Sequence, residues 1–407
     1  MVFETAEKPQ GVNVDPDDRI MDHNRLNNAR PRVEIRPDWP LLKYLHMPND
    51  ALLILWRPMI DYNDYDSVRL GLCTSSSYRA FYHNVTVELM VGVKFAELDG
   101  KVAYSHPVSR RNLLNRYTLM ARKNEGRFEA DARLEFYGSK GFITRSSRSL
   151  EFGVNFSRRL NAAYTFREVA SDTGAFRLDE WEDADILMTY LEGAARTGLG
   201  AFDTEAKIRA ELALPGGDAQ FSKLSSRLML ETRKFGLKGV VRGNLATSFG
   251  PDRLPLQDQF RAEGAAPRER FQNNMVKTGD ALGSFKRRYV EGGGFLRGYA
   301  GQPLPAERLT TLNIEVSTAK PLIFGIRPFG FYDTGRIWST RSSGSFTRSD
   351  VGFGLSFFGE ELKLFGGNLA LFEDLSIKAL FPIWLSDPLP GEKKTQFRWY
   401  VSVGKGL

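Results

Sequence analysis

The sequence has very little of the residues that carry most enzymatic chemistry. It contains one cysteine, Cys73, and four histidines among 407 residues. A single cysteine excludes an internal disulfide. The histidines lack the His-Glu-x-x-His spacing of a zinc peptidase helix; they are His23, His46, His83 and His106. We therefore predict no catalytic residue, no metal site, no cofactor and no enzymatic activity in this chain.

Long hydrophobic runs are also missing. The longest apolar stretch, Ala51 to Trp56, suits a strand, and no run approaches the roughly 18 residues of a membrane helix. The mean hydropathy is −0.33. Such an average still permits a membrane β-barrel, because its strands alternate between residues that face lipid and residues that face the lumen.

The net charge and the amino-terminal residues argue against two further features, a nucleic-acid partner and a signal peptide. The net charge is +7, but the basic residues are scattered and form no recognisable nucleic-acid motif, so we predict no nucleic-acid partner. The first eight residues, MVFETAEK, lack the basic start and apolar core of a signal peptide. If the protein is exported, we expect this chain to be a mature form or a fragment.

What the sequence does contain is a regular alternation of apolar and polar residues. Residues 1–65 are rich in Pro, Asp, Asn and Arg and predict an irregular linker. From residue 66 to 407 the alternation has period two, as in 127–137 and 205–214. We count about 16 strands, most of them about ten residues long. Residues 359–372 are the best helix candidate, although they equally suit a strand connection.

This pattern favours an all-β fold, specifically a transmembrane antiparallel β-barrel. A propeller would repeat every 40 to 50 residues or so, and no such repeat is present. A soluble sandwich also alternates, but it leaves many sheet edges to protect, whereas a closed barrel has none. Residues 250–308 interrupt the rhythm between the predicted eleventh and twelfth strands. We predict that this long loop folds into the lumen.

Two short motifs support that prediction. The first lies in the long loop and comprises Leu296, Arg297, Gly298 and Tyr299. The second lies on the predicted thirteenth strand and comprises Phe331, Asp333 and Gly335. A guanidinium inside a barrel needs a carboxylate, because an unpaired charge away from bulk water is costly. We predict that Arg297 pairs with Asp333, with Glu315 of the twelfth strand as a second acceptor.

The two motifs resemble those of the Omp85 superfamily, outer-membrane barrels that insert or translocate polypeptides. The first is similar to the superfamily's [VIL]-R-G-[YF] motif of the sixth extracellular loop, and the second to its F-x-D-x-G motif of strand thirteen. The last strand is similar to the closing strand of the superfamily; its residues of interest are Trp399, Val401, Val403, Gly404 and Leu407. Another Arg-Gly pair, Arg242-Gly243, lies in a predicted strand and lacks the aromatic residue that follows in the motif.

A second resemblance concerns the amino-terminal residues. Residues 14–28 resemble the tail after the catalytic region of some bacterial M1-type metallopeptidases, and 60–72 resemble the entry to the barrel that some of them carry. This resemblance implies that the chain is the barrel region of an Omp85 superfamily member linked to an M1-type metallopeptidase. The resemblance implies the outer membrane of a Gram-negative bacterium. It also implies lipid, lipopolysaccharide, a polypeptide substrate, an upstream peptidase domain and accessory outer-membrane proteins as partners.

Three functions remain open from the sequence. The first is polypeptide translocation or insertion and assembly of outer-membrane proteins. The second is a barrel that anchors an upstream peptidase domain without active transport. The third is a diffusion porin. The periplasmic POTRA domains of the superfamily are not visible in residues 1–65, and Leu407 replaces the terminal aromatic residue common in outer-membrane strands. Both departures weaken the first function.

Overall fold

The fold was obtained as a computed structural model. It describes residues 32–37, 51–63, 67–77, 83–93, 96–109, 112–124, 126–139, 146–160, 166–171, 174–179, 181–199, 201–272, 291–300, 302–322, 325–339, 344–358, 363–364, 367–368, 375–388 and 391–405. The peptidase-like segment 14–28 and Leu407 therefore lie outside the described residues.

Sixteen consecutive strands of the described chain form one antiparallel wall, in which each strand pairs with the next. Their bounds are β1 Ala51–Asn63, β2 Ser67–Ser77, β3 Asn84–Gly92, β4 Leu98–Ser109, β5 Asn112–Asn124, β6 Arg127–Ser139, β7 Ser147–Arg159, β8 Ile186–Leu199, β9 Phe202–Ala213, β10 Ser222–Lys234, β11 Leu237–Phe249, β12 Arg308–Thr318, β13 Ile326–Trp338, β14 Ser345–Phe358, β15 Leu375–Leu385 and β16 Tyr400–Lys405. The predicted all-β class and the count of about 16 strands are confirmed.

The wall has one apolar and one polar face, as alternation dictates. On β9, Ile208 and Leu212 are exposed while Glu211 is buried. The same pattern holds on β13, where Tyr332 is exposed and Asp333 is fully buried. An exposed apolar face that extends over most strands of a wall is typical of lipid contact. The polar face lines the inside and surrounds the long loop.

Several short elements lie between the wall strands. Three short antiparallel pairings form two-stranded sheets separate from the wall. Two are hairpins, Phe166–Ser171 with Gly174–Asp179 and Lys363–Leu364 with Gly367–Asn368, and the third joins two parts of the long loop, Phe260–Arg261 with Pro305–Ala306. The long loop also contains the helix α1, Pro267–Gln272, and a 3-10 turn, Arg297–Tyr299. Within the helix candidate 359–372, the described residues form one of these hairpins instead of a helix.

The start of the wall differs from the boundary expected at residue 66. Strand β1, Ala51–Asn63, pairs along its whole length with β2, although it falls in the segment expected to be irregular. A second strand of that segment, Arg32–Pro37, pairs with β1 in parallel. The alternation test missed β1 because Leu52 to Trp56 is apolar at every position, so neither face is distinguished by polarity.

The end of the wall also differs in detail. Trp399 is expected in the closing strand, but regular pairing of β16 with β15 begins only at Tyr400. In the described residues no pairing joins β16 to β1, so the sheet is curled but not hydrogen-bonded into a closed ring. We call the end of the sheet from which the long loop departs the loop end, and the opposite end the turn end.

Among the described residues, no helix has the length and apolar character needed to cross a membrane.

Candidate functional site

The 3-10 turn of the long loop places Arg297 against the inner face of the wall. Arg297 is 4% exposed. Its Nε and Nη2 donate to the two carboxylate oxygens of Asp333 at 2.9 and 2.8 Å, and its Nη1 donates to Glu315 at 2.5 Å. The backbone N–H of Arg297 also donates to Asp333 at 3.1 Å. The structure therefore brings together the three residues that the sequence pairs. We call Arg297, Asp333 and Glu315 the motif anchor.

Neighbouring wall residues complete the surroundings of this arginine. The guanidinium lies 4.2 Å from the centre of the Phe331 ring, which is a cation–π distance. Asn313 of β12 donates to Asp333 at 3.1 Å and to the backbone carbonyl of Phe295 at 2.9 Å. A bidentate ion pair with further hydrogen bonds is the geometry that compensates a buried charge. The motif anchor therefore holds the loop by both charge and orientation.

Gly298 allows the turn to approach the wall closely. A Cβ atom at residue 298 would lie 2.7 Å from the Cβ of Asp350 and 2.5 Å from the Leu385 side chain. Asp350 is fully buried on β14, directly opposite Asp333 in the strand register. The close approach therefore depends on the missing side chain. Gly335 has a similar role on β13, because a Cβ there would lie 2.7 Å from the Thr311 side chain.

The apolar residues of the first motif pack against the wall. Leu296 and Tyr299 are completely buried in a cluster with residues of β12, β13 and β15. The Tyr299 hydroxyl donates to the Ser349 carbonyl at 3.2 Å and lies 3.1 Å from the Ser386 hydroxyl. Burial raises the pKa of this phenol above its ordinary value, so Tyr299 remains a neutral donor.

The closing strand meets the same turn through a residue that the sequence analysis did not select. Tyr400 donates to the Gly298 carbonyl at 3.4 Å. Trp399 precedes the regular strand and is half-buried, as is Val401. Val403 and Gly404 pair with Ile377 and Ser376 of β15. The motif anchor is thus connected to the last wall strand as well as to β12 and β13.

The other end of the described loop is held on the opposite part of the wall. Arg268 of α1 donates through Nε and Nη2 to Asp258 at 2.7 and 2.9 Å. Its Nη1 donates to Asn155 of β7 at 2.8 Å. Burial alone would lower the pKa of Arg268, but the Asp258 carboxylate raises it above its ordinary value. The guanidinium therefore stays charged although it is buried.

Phe271 extends this second contact across β5 and β6. The Arg122 guanidinium donates to the Phe271 carbonyl at 3.0 Å. The Arg127 guanidinium lies 5.0 Å from the Phe271 ring and 5.2 Å from the Trp181 ring, and the two rings meet edge to face. We call Arg268 and Phe271, together with their partners, the helix anchor. The partners are Asp258, Asn155, Arg122, Arg127 and Trp181. Both anchors lie inside one wall, so the loop crosses the space that the wall encloses.

Sequence reasoning missed the helix anchor. Arg268 and Asn155 are 113 residues apart, and Arg122 and Phe271 are 149 apart. No short motif relates such positions. The only local signal is the series of charged residues with one aromatic residue in α1, which is common on solvated helices. The described residues hold no group of three or more side chains that could bind a metal ion.

The wall surrounds its internal loop as the sheet of a β-barrel would, and solved barrel structures have a similar fold. The chain is similar to CdiB from Escherichia coli, with a TM-score of 0.50 and 13% identity over 92% of this chain and 76% of that one. It is also similar to BamA from Haemophilus ducreyi lacking POTRA domains 1–3, with a TM-score of 0.47 and 13% identity over 90% and 74%. CdiB from Acinetobacter baumannii gives a TM-score of 0.44 and 12% identity over 86% and 58%.

No family model and no curated protein matches the sequence. At 13% identity, the similarity to CdiB from Escherichia coli concerns the fold alone. The chain therefore has the architecture of that barrel, and its activity has to be argued from its own residues.

Proposed function

We propose that this chain is an outer-membrane barrel of the Omp85 type that inserts or translocates polypeptides. The observation that carries the proposal is the motif anchor: Arg297, on a loop inside the wall, binds Asp333 of β13 and Glu315 of β12. Arg297 and Asp333 are motif positions by which the sequence resembles the superfamily. A diffusion porin needs an open lumen, whereas the described parts of this loop contact the inner face of the wall on two sides.

The unclosed sheet supports the same proposal. In the described residues, β1 and β16 are not paired with each other, so the wall has a seam, and the part of β1 beyond the short strand Arg32–Pro37 has no strand paired along that side. An edge of this kind can pair with an extended polypeptide by adding a strand. The exposed apolar face is the surface that lipid and lipopolysaccharide would contact in a Gram-negative outer membrane.

The proposal can be tested by reconstitution. The protein would be placed in phospholipid vesicles and supplied with a urea-denatured outer-membrane barrel, whose folding is followed by its shift in gel mobility without heating. We expect vesicles with the protein to fold the substrate faster than empty vesicles. The Arg297→Asp variant should lose this acceleration, and combining it with Asp333→Arg should restore part of it. No acceleration by the wild-type protein would overturn the proposal.

An anchor for an upstream M1-type peptidase is the second candidate. It is favoured by the resemblance of residues 14–28 to the tail of such enzymes and by their position before the wall. The anchor predicts that peptidase activity from the same gene fractionates with outer membranes. It also predicts that the reconstituted barrel does not accelerate substrate folding. The peptidase link and the transport activity are therefore separate questions, which the two measurements answer independently.

A further inference from the structure

The short strand Arg32–Pro37 lies on the outer edge of β1, at the seam. Its six residues pair in parallel with Ala51–Trp56, from Arg32 opposite Ala51 to Pro37 opposite Trp56. Thirteen residues separate Pro37 from Ala51, enough for the crossover that a parallel pair requires. No other strand of the described chain pairs with this edge of β1.

The side chains of this short strand continue the pattern of the wall. Paired residues in a parallel ladder lie on the same face of the sheet. Val33 and Ile35 therefore share the lipid-facing side with Leu52 and Ile54, and they are 54% and 66% exposed. Glu34 and Arg36 fall on the inner face, and their side chains form an ion pair. A strand that is apolar outside and charged inside has the composition of a wall strand.

The position of the short strand also matches that of β16. The residues of β1 that it covers form the turn-end half of that strand. Strand β16 pairs with Leu375–Leu380, which is the turn-end half of β15. Because β1 and β16 run in opposite directions, the short strand and β16 are antiparallel. The short strand and β16 are each six residues long and lie on the two sides of the seam.

We propose that Arg32–Pro37 is a built-in seam strand that occupies the edge of β1, so that a polypeptide pairing with that edge must displace it. Backbone groups left unpaired in a bilayer cost several kcal/mol each, and the short strand supplies partners for the edge groups of Ala51–Trp56. The consequence for a substrate rests on the proposed function. The presence of the strand in the seam does not.

The covered length explains why such an occupant can be displaced. The seam strand covers six of the 13 residues of β1. Beyond the seam strand, residues Pro58–Asn63 pair with β2 on one side, and no strand of the described chain pairs with them on the other. A longer segment with alternating apolar and polar residues can pair with this open half first and then replace the seam strand. The edge thus selects an extended segment whose apolar residues face lipid.

Disulfide trapping tests the position of the strand. In a Cys73→Ala background, Glu34→Cys and Leu53→Cys lie opposite each other on the inner face, about 4.8 Å apart between Cα atoms, within the disulfide range. The control pair is Glu34→Cys with Met59→Cys, on the same face but six residues further along β1. We expect the first pair to crosslink in membranes under a mild copper oxidant and the control to remain reduced. Equal crosslinking of both pairs, or none, would overturn the seam strand.

Lipid accessibility gives a second measurement that does not depend on disulfide geometry. Single variants Val33→Cys, Glu34→Cys, Ile35→Cys and Arg36→Cys would carry a bimane label in vesicles with brominated lipid. We expect strong quenching at residues 33 and 35 and weak quenching at 34 and 36. Uniformly weak quenching would place the segment outside the membrane and contradict the proposal.

The consequence for substrate is tested with the trapped pair. Folding of a urea-denatured outer-membrane barrel would be compared between the oxidised and the reduced Glu34→Cys/Leu53→Cys protein. We expect oxidation to abolish the acceleration and reduction to restore it. If oxidation leaves the acceleration unchanged, displacement of the seam strand is wrong while the proposed function stands. If neither form nor wild type accelerates folding, the proposed function fails, and trapping and quenching alone decide the seam strand.

Discussion

The two anchors of the internal loop use the same chemistry but connect different parts of the molecule. Each contains a buried arginine with a bidentate carboxylate. In the motif anchor, the carboxylate belongs to Asp333 on the wall. In the helix anchor, it belongs to Asp258, which is part of the loop itself. The first ion pair therefore joins the loop to the wall, whereas the second mainly stabilises the loop.

The contacts between the helix anchor and the wall are weaker than those of the motif anchor. They consist of one hydrogen bond to Asn155, one donated by Arg122, and the rings of Phe271 and Trp181 beside Arg127. Hydrogen bonds from a charged donor contribute about 1.5–3 kcal/mol and cation–π contacts about 1 kcal/mol, whereas a buried ion pair loses about 3–5 kcal/mol when one partner is removed. We infer that the motif anchor decides whether the loop stays inside and the helix anchor decides its shape there.

The largest effect is expected from Arg297→Ala. The change leaves Asp333 and Glu315 without their cation inside the wall, and we expect a loss of about 3–5 kcal/mol in the free energy of unfolding. Urea unfolding in detergent micelles, followed by tryptophan fluorescence, measures it. Arg253→Ala is the control, because that arginine lies in the same loop with its side chain 68% exposed. Similar losses in both variants would contradict the motif anchor.

A smaller effect is expected from Arg268→Ala, at about 2–3 kcal/mol. Asp258 loses its main partner but keeps Lys223, whose Nζ lies 3.9 Å away. Single-channel conductance distinguishes the two variants more clearly than stability does. Arg297→Ala should raise the conductance because the loop leaves the wall, while Arg268→Ala should leave it near the wild-type value. A larger conductance in the Arg268 variant would reverse our assignment of the two anchors.

The close approach of the motif anchor is tested by Gly298→Ala. The added methyl group meets Asp350 at less than 3 Å, and we expect a loss of about 1–3 kcal/mol in stability. Gly243→Ala is a matched control, because this glycine also follows an arginine but has no atom within 4 Å of an added Cβ. Unfolding curves of the two variants give the difference. An equal effect would show that the contact with Asp350 is unimportant.

The smallest effect is expected from Tyr299→Phe. It removes the hydroxyl that contacts Ser349 and Ser386 but keeps the buried ring, so the loss should be about 1 kcal/mol. Tyr332→Phe serves as the control, since that side chain is 39% exposed on the outer face of β13. Thermal unfolding, read from the gel mobility of unheated and heated samples, compares the two. A greater loss from the Tyr332 variant would disprove the expected order.

Much of the wall could be predicted because its signal is local. A strand with one face in lipid and one inside must alternate with period two, and this pattern is visible along the chain. Arg297 and Asp333 are also predictable from local signals, since each belongs to a motif of a few residues on a recognisable loop or strand. Alternation does not predict strand β1, because its apolar residues occupy both faces. It does not predict Arg32–Pro37 either, because six residues are too few for the pattern to stand out.

By itself, the sequence determined an antiparallel wall of about 16 strands and an arginine motif on the loop after its eleventh strand. The tertiary structure alone decided that α1 reaches β5 to β7, that Asp350 lies beneath Gly298, and that Arg32–Pro37 lies on the edge of β1. The physical reason is the range of the interactions. Alternation is set by neighbours along one strand, whereas the anchors and the seam depend on how the curled sheet brings distant residues together.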